Sequence, residues 1–353
     1  MYLINNYYTL ILFLILGINI LPSKLRFKYD NVFFLFTIAL IITAISIRHL
    51  IFSDDENYLS MLQDFKNIST RDLGKISFLF YYLNLFILNI SDDVSIALKI
   101  NFILIWIFFL MTLFIENVKY KTTFLTFFFL LFQVLFFIQL RNALALVFLN
   151  WGIIRTFKNK NSLLIFFIAT LFHYSVLPFI LIYYFINFNI KIPLKFSKKK
   201  FITVGIISIL ISISFYNIYY NYISILPVFE KYFLEFINTP EVGNTSYLQL
   251  SLLFFHLILL FKLNNNYEKN SLVTKSGIIV FLGLLFGLIL ATLPLFQRII
   301  LPFILYAIIS HIYIFYIKNI KFPKWPYYYY IMIIAYWAIS INRISYFETW
   351  NIF

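Results

Sequence analysis

Few side chains in this sequence are equipped for chemistry, and they fall in four short segments. In Asp54-Asp55-Glu56-Asn57-Tyr58, a helix sets Asp54 and Tyr58 on one face at i, i+4, a carboxylate beside a phenol. That pair suits gripping a hydroxyl-rich ligand or acting as a base, with Asn57 beside it. A solvated acidic helix start near the positive end of the helix dipole has the same spacing. In Gln139-Leu140-Arg141-Asn142-Ala143 an arginine separates two apolar runs, with small residues next to it that admit a neighbouring backbone. A guanidinium is planar and always charged, a natural clamp for phosphate; an arginine in this position also snorkels to an interface. His173, in Leu171-Phe172-His173-Tyr174-Ser175, is suited to a base or a phosphate donor, or to a structural role satisfied by a neighbour. Gln297-Arg298 follows Pro294 and gives a second arginine, so that two arginines on one cavity would make a diphosphate site, with Arg48 and Arg343 as weaker members.

The remaining inventory excludes whole classes of activity. There is no P-loop, no glycine-rich dinucleotide turn and no zinc-protease helix motif. Cysteine is absent, which removes disulfides, thiolate catalysis and cysteine-ligated metals together. Four scattered histidines give no metal-ligand spacing, and His256 and His311 lie inside apolar runs where a structural role is favoured. No cofactor and no metal are expected.

Holding these groups falls to helices in a bilayer. The 353 residues are 62% hydrophobic and 22% aromatic, with a mean hydropathy of +0.89, far above a soluble domain of this size. A span takes about 20 apolar residues, and the apolar runs number about ten to twelve. They lie near 4–21, 31–47, 95–115, 123–140, 142–154, 162–172, 175–188, 201–220, 247–263, 275–294, 297–317 and 327–342. The expectation is one all-α, polytopic domain over residues 1–353. An outer loop at 48–94 carries an interfacial helix, and a second outer loop covers 221–246. The first run has no basic flank or small-residue cleavage site and reads as a retained span.

Charge orients the chain. Lys24/Arg26/Lys28, Lys119/Lys121, Arg155/Lys158/Lys160, Lys191 to Lys200, Lys262/Lys269/Lys275 and Lys318/Lys321/Lys324 carry 19 of the 28 basic residues, accompanied by only Asp30, Glu116 and Glu268 among the acids. Basic residues retained in short loops mark the cytoplasmic side, so the formal charge of +14 speaks for a membrane rather than for nucleic acid. Residues 122–154 and 162–188 each lie between two such loops and are too short for two full crossings. They are expected to be short or re-entrant hairpins, with Arg141 and His173 at their outer tips. Asp92-Asp93 reads as the cap of the helix that follows.

The order Asp54-x-x-Asn57-Tyr58, Arg141-x-x-x-Ala145, Leu171-Phe172-His173-x-Ser175 and Arg298 before Pro302-Phe303 resembles the EpsG family of Wzy-like polysaccharide polymerases, over about Ser53 to Pro302. The sequence departs from the family pattern at Asn142, where glutamine is usual, and at Ile300 and Leu301, where aromatics are usual. The resemblance implies a GT-C-like, metal-independent glycosyltransferase in the bacterial cytoplasmic membrane with its active site facing the exterior. It would join oligosaccharide repeat units carried on undecaprenyl diphosphate, beside a flippase and a chain-length regulator of the same pathway. In that reading Arg141 and Arg298 hold the diphosphate, Asp54, Asp55 or His173 acts on the acceptor hydroxyl, and Asn57, Tyr58, Asn142, Arg48 and Arg343 contact substrate. A flippase for lipid-linked oligosaccharide, a membrane sugar O-acyltransferase and a structural partner in an export complex are the rivals.

Overall fold

The structure, a computed structural model, describes residues 28–47, 53–65, 77–91, 93–128, 139–188, 249–260, 271–290 and 297–314, with the single positions 14 and 210. Among them every regular element is a helix, as the apolar periodicity predicts. The chain divides into two compact units, Met1–Tyr174 with Ile344–Phe353, and Ser175–Arg343.

The first unit contains α1 (Asp30–Ile47), α2 (Ser53–Asp64), α3 (Phe78–Ile90), α4 (Val94–Ile115), α5 (121–128), α6 (Leu140–Phe157) and α7 (Leu163–Phe172). With 22 residues, α4 is about 33 Å long, and it is the one described helix both long and apolar enough to cross a bilayer by itself. Its start is capped by Asp93, whose Oδ1 accepts from the Ser95 N–H at 2.8 Å, as the sequence indicated. Ile103, Ile107, Met111 and Phe114 keep an apolar stripe exposed along α4, the surface expected of a helix facing lipid.

At the centre lies α6, packed against both α4 and α7. Residues 142–150 are all buried, so no face of this stretch is left to solvent or lipid. Close approach to α7 depends on Gly152, where a Cβ would overlap the Phe166 ring. A tight link joins the two helices, with Asn159 in the left-handed region at φ 56° and the Lys160 N–H bonded to the Arg155 carbonyl at 2.9 Å. One ring pair, Phe148 on Phe172 at 5.2 Å, fixes their depth.

The amphipathic α3 packs on α4 and α7 through Phe80, Asn84 and Ile87, leaving Phe78, Tyr82, Phe86 and Ile90 exposed at four-residue spacing. Asn84 of α3 and Asn101 of α4, both fully buried, exchange amide hydrogen bonds, and each also donates to the carbonyl four residues before it. In an apolar surrounding such a pair joins two helices that dispersion alone would leave free to slide.

The second unit contains α8 (Leu177–Phe188), α9 (Gln249–Leu260), α10 (Ser271–Leu290) and α11 (Gln297–Ile312). The antiparallel pair α10 and α11 is packed closely at Gly283 against Phe303. Its interior holds polar groups that find one another: Ser276 Oγ lies 3.1 Å from the Tyr306 hydroxyl, and His256 Nε2 lies 3.2 Å from Ser310 Oγ. The Ser310 hydroxyl donates to the Ala307 carbonyl at 2.9 Å. It therefore accepts from His256, which places that histidine's proton on Nε2. The His256 and His311 rings lie 5.8 Å apart, both buried within their apolar helices.

Candidate functional site

The two ends of the first unit carry different chemistry. At one end Glu116, the residue that closes α4, is buried and bonded to three donors. Arg155 Nη1 lies at 3.1 Å, Lys160 Nζ at 2.8 Å and Trp151 Nε1 at 3.0 Å. Burial pushes the Glu116 carboxyl up. The hydrogen bonds from Lys160 and Trp151, with the charges of Lys160 and Arg155, outweigh that and hold it below the usual carboxylate range. The Lys158 ammonium donates to the Asn117 carbonyl at 3.3 Å. At the same end Asp30, the first residue of α1, accepts from the Lys121 and Thr122 N–H groups at 2.9 and 3.2 Å, and so caps the start of α5. The three basic loops around Lys28, Lys119/Lys121 and Arg155/Lys158/Lys160 therefore share one end, as their charge predicted.

Because Glu116 joins the last turns of both α4 and α6, these helices run parallel, and Arg141 stands at the other end, about 21 Å along α6 from Arg155. It occupies the first turn of α6, partly exposed, with no ion pair or hydrogen bond among the described residues. A cation there opposes the helix dipole by roughly 0.3–1 kcal/mol, a cost that an anion bound at this end would relieve. Beside it Asn142 is buried and donates to Gln139 Oε1 at 3.3 Å. Two turns further, the Asn150 amide is buried without a hydrogen-bonding partner among the described residues.

His173 lies where helix breaks. α7 stops at Phe172, His173 is extended and buried, and a 3-10 turn at Tyr174–Val176 follows, with the imidazole stacked on Tyr174 at 5.0 Å. The sequence placed the break here. Phe172 stacks on Phe148, however, so His173 sits about 10 Å deeper along α6 than Arg141. The structure does not bring these two side chains together.

Residues 54 to 58 are helical within α2, which puts Asp54 and Tyr58 one turn apart on one face as expected. Asn57 is exposed; Tyr58 is buried with its ring 6.1 Å from Phe80, in a cluster where Phe65 also packs on Phe80 and Tyr81. The side chains of Asp54 and Asp55 lie outside the described residues, as do Arg48 and Arg343.

In the second unit, Arg298 lies in the first turn of α11, partly exposed and without an ion pair or hydrogen bond among the described residues. Pro302, four residues on, has no N–H, so the Arg298 carbonyl lacks the helical bond it would otherwise accept. The opposite end of this unit is marked by Lys275 near the start of α10, whose Nζ lies 3.4 Å from the Asn187 carbonyl in the last turn of α8. In the first unit Arg141 stands at the end away from Lys121, Lys158 and Lys160, with Lys99 at its own end, and in the second Arg298 stands at the end of the α10–α11 pair away from Lys275. Among the described residues no three histidines or carboxylates converge as a metal site would require.

Glu116 was readable only as one acid in a basic loop. Its role needs Trp151 and Arg155 from a helix some 35 residues on, which spacing cannot reveal. Likewise Asn84 and Asn101 stand out as amides in apolar runs without showing that they face each other.

Described residues whose regular elements are all helices, with exposed apolar stripes and the amides of Asn84 and Asn101 paired inside, are the build of a membrane protein. The chain belongs to the EpsG family, which it matches over residues 31–352 and whose members are of the Wzy-like polysaccharide polymerase type. No curated protein and no solved structure matches it. Membership connects the chain to polysaccharide biosynthesis in a polymerase-like role.

Proposed function

We propose that this protein is a glycosyltransferase that polymerises oligosaccharide repeat units carried on undecaprenyl diphosphate at the outer face of the bacterial cytoplasmic membrane. The chain crosses about ten to twelve times in a GT-C-like arrangement, with the segments around Arg141 and His173 as short re-entrant hairpins. The family match supports this reading. The observation that carries it further is the pair of arginines, each in the first turn of a helix, partly exposed and free of any acidic neighbour among the described residues.

In the reaction, a hydroxyl of the acceptor unit attacks the anomeric carbon of the growing chain. The bond from that carbon to the diphosphate oxygen breaks, undecaprenyl diphosphate leaves with the electron pair, and the hydroxyl proton passes to a base. Arg141 and Arg298 stabilise the charge growing on the leaving diphosphate, an effect large where water is excluded. Asp54, Asp55 or His173 takes the proton. Asn57, Tyr58, Asn142, Arg48 and Arg343 line the sugar path. A flippase and a chain-length regulator act before and after it.

The test is an assay of the purified protein with a lipid-diphosphate repeat unit, read as a ladder on a gel. Wild type makes ladders, with chelator present or absent, while Arg141→Ala and Arg298→Ala leave single units. Normal ladders from both variants would end the polymerase reading. A variant that instead loses single units from the outer leaflet of cells would point to a flippase.

A further inference from the structure

At the end of the first unit where the basic loops gather, one corner is built unlike the rest. There the start of α1 meets the end of α4. Phe34 of α1 packs edge-on against Phe114 of α4 at 5.4 Å. Lys121 reaches across the seam, its Nζ 3.3 Å from Asn31 Oδ1 and 5.2 Å from the Phe114 ring centre. Lys28 lies over the Tyr29 ring at 5.3 Å, and Lys119 is exposed. The acids nearby are already engaged: Asp30 caps α5 through two backbone N–H groups, and Glu116 is enclosed by Arg155, Lys160 and Trp151. Glu116 is offset by Arg155 and Lys160, and Lys28, Lys119 and Lys121 outnumber the one remaining carboxylate, Asp30, so the corner is left net positive. Beside them the start of α1 and the end of α4 leave apolar side chains open, with Phe114, Ile115 and Val32 exposed by 55%, 50% and 61%.

Cations beside an exposed aliphatic and aromatic wall match one chemistry, an anionic headgroup on acyl chains. We propose that this corner is a binding site for an anionic phospholipid. Lys28, Lys119 and Lys121 face its phosphate, and Val32, Phe114 and Ile115 face its chains. A soluble phosphate would have no use for the open apolar wall, and a zwitterionic lipid would leave the positive charge unmatched. Lys28 and Lys121 hold their ammonium groups over aromatic rings, which sets their height at the boundary between chain and headgroup. The inference rests on the membrane setting and not on the polymerase reading.

Native mass spectrometry of the full chain in detergent tests it, with phosphatidylglycerol, phosphatidylcholine of the same chains, and glycerol phosphate as probes. Wild type is expected to retain phosphatidylglycerol over phosphatidylcholine. Retention should fall about fivefold for each lysine removed, in Lys28→Gln and Lys121→Gln and further in the double variant. The Lys28→Arg/Lys121→Arg variant keeps the charge and should keep the lipid, which separates loss of the site from loss of the fold. Lys99→Gln, an exposed lysine near the other end of α4, should behave as wild type. Equal retention of the two lipids, undiminished phosphatidylglycerol on the double glutamine variant, or displacement of the lipid by glycerol phosphate alone would each overturn the proposal.

Discussion

The two ends of α6 solve the problem of a charged residue at the edge of a membrane in opposite ways. At the Arg155 end the guanidinium meets a buried carboxylate that also holds an ammonium and an indole, so the guanidinium has an acidic partner. At the Arg141 end the guanidinium has no acidic partner among the described residues and stands against the dipole of its own helix. A paired charge serves structure; a charge left without an acidic partner where it costs stability is open to an anion. Composition does not separate the two arginines. Their neighbours do.

That contrast can be broken by experiment. The largest effect expected is on activity: Arg141→Ala should lower polymer formation by at least about a hundredfold in the ladder assay, while its thermal stability equals or exceeds wild type because an adverse charge is gone. Arg141→Lys should recover little, since a point charge does not reproduce a planar fork. A matching fall in stability and activity would make Arg141 structural, like Arg155. At the other end, Glu116→Gln should cost about 1–3 kcal/mol of stability, measured by thermal unfolding in detergent, with catalysis by the folded fraction unchanged. A cost of the same order, about 1–3 kcal/mol, is expected for Gly152→Val, which forces α6 away from Phe166.

A smaller effect follows from pH. The folded Glu116 carboxyl titrates below its ordinary value of 4.5, so its contribution is complete above that value and is lost as pH falls through the depressed one. Unfolding temperature should decline below about pH 4.5 in wild type and less steeply in Glu116→Gln, a comparison made in one buffer series. The smallest change expected is for Asn101→Leu, about 0.6–1.7 kcal/mol, since the reference state in a membrane also finds partners for an amide. Asn84→Leu/Asn101→Leu together should cost less than the sum of the single changes.

Sequence reading recovered what depends on local rules. The alternation of lysine-rich loops placed Lys28, Lys121 and Arg155 at one end, because a helix that crosses an apolar layer must return its charges to water. The break at His173 and the cap at Asp93 followed from run lengths and from the preference of carboxylates for helix starts. What escaped it depends on which helix meets which. The depth of His173 relative to Arg141 is set by Phe172 stacking on Phe148, a contact that no pattern in either segment announces. In the same way, residues 142–154 read as an apolar run between two arginines; that residues 142–150 are buried on every side comes from neighbours supplied elsewhere in the chain.

The burial of residues 142–150 of α6 also bears on how the protein is made. A helix carrying two arginines and two asparagines in 18 residues partitions poorly into lipid by itself. Its neighbour α4, long, apolar and ending in the carboxylate that receives Arg155, emerges first during synthesis and can wait in the bilayer. Entry of α6 is then a docking event onto α4, closed by α7 when the Phe166 ring settles over Gly152. Biogenesis in this unit therefore has an order, with the least lipid-compatible helix docked onto one that can already stand in the membrane and then covered by a third.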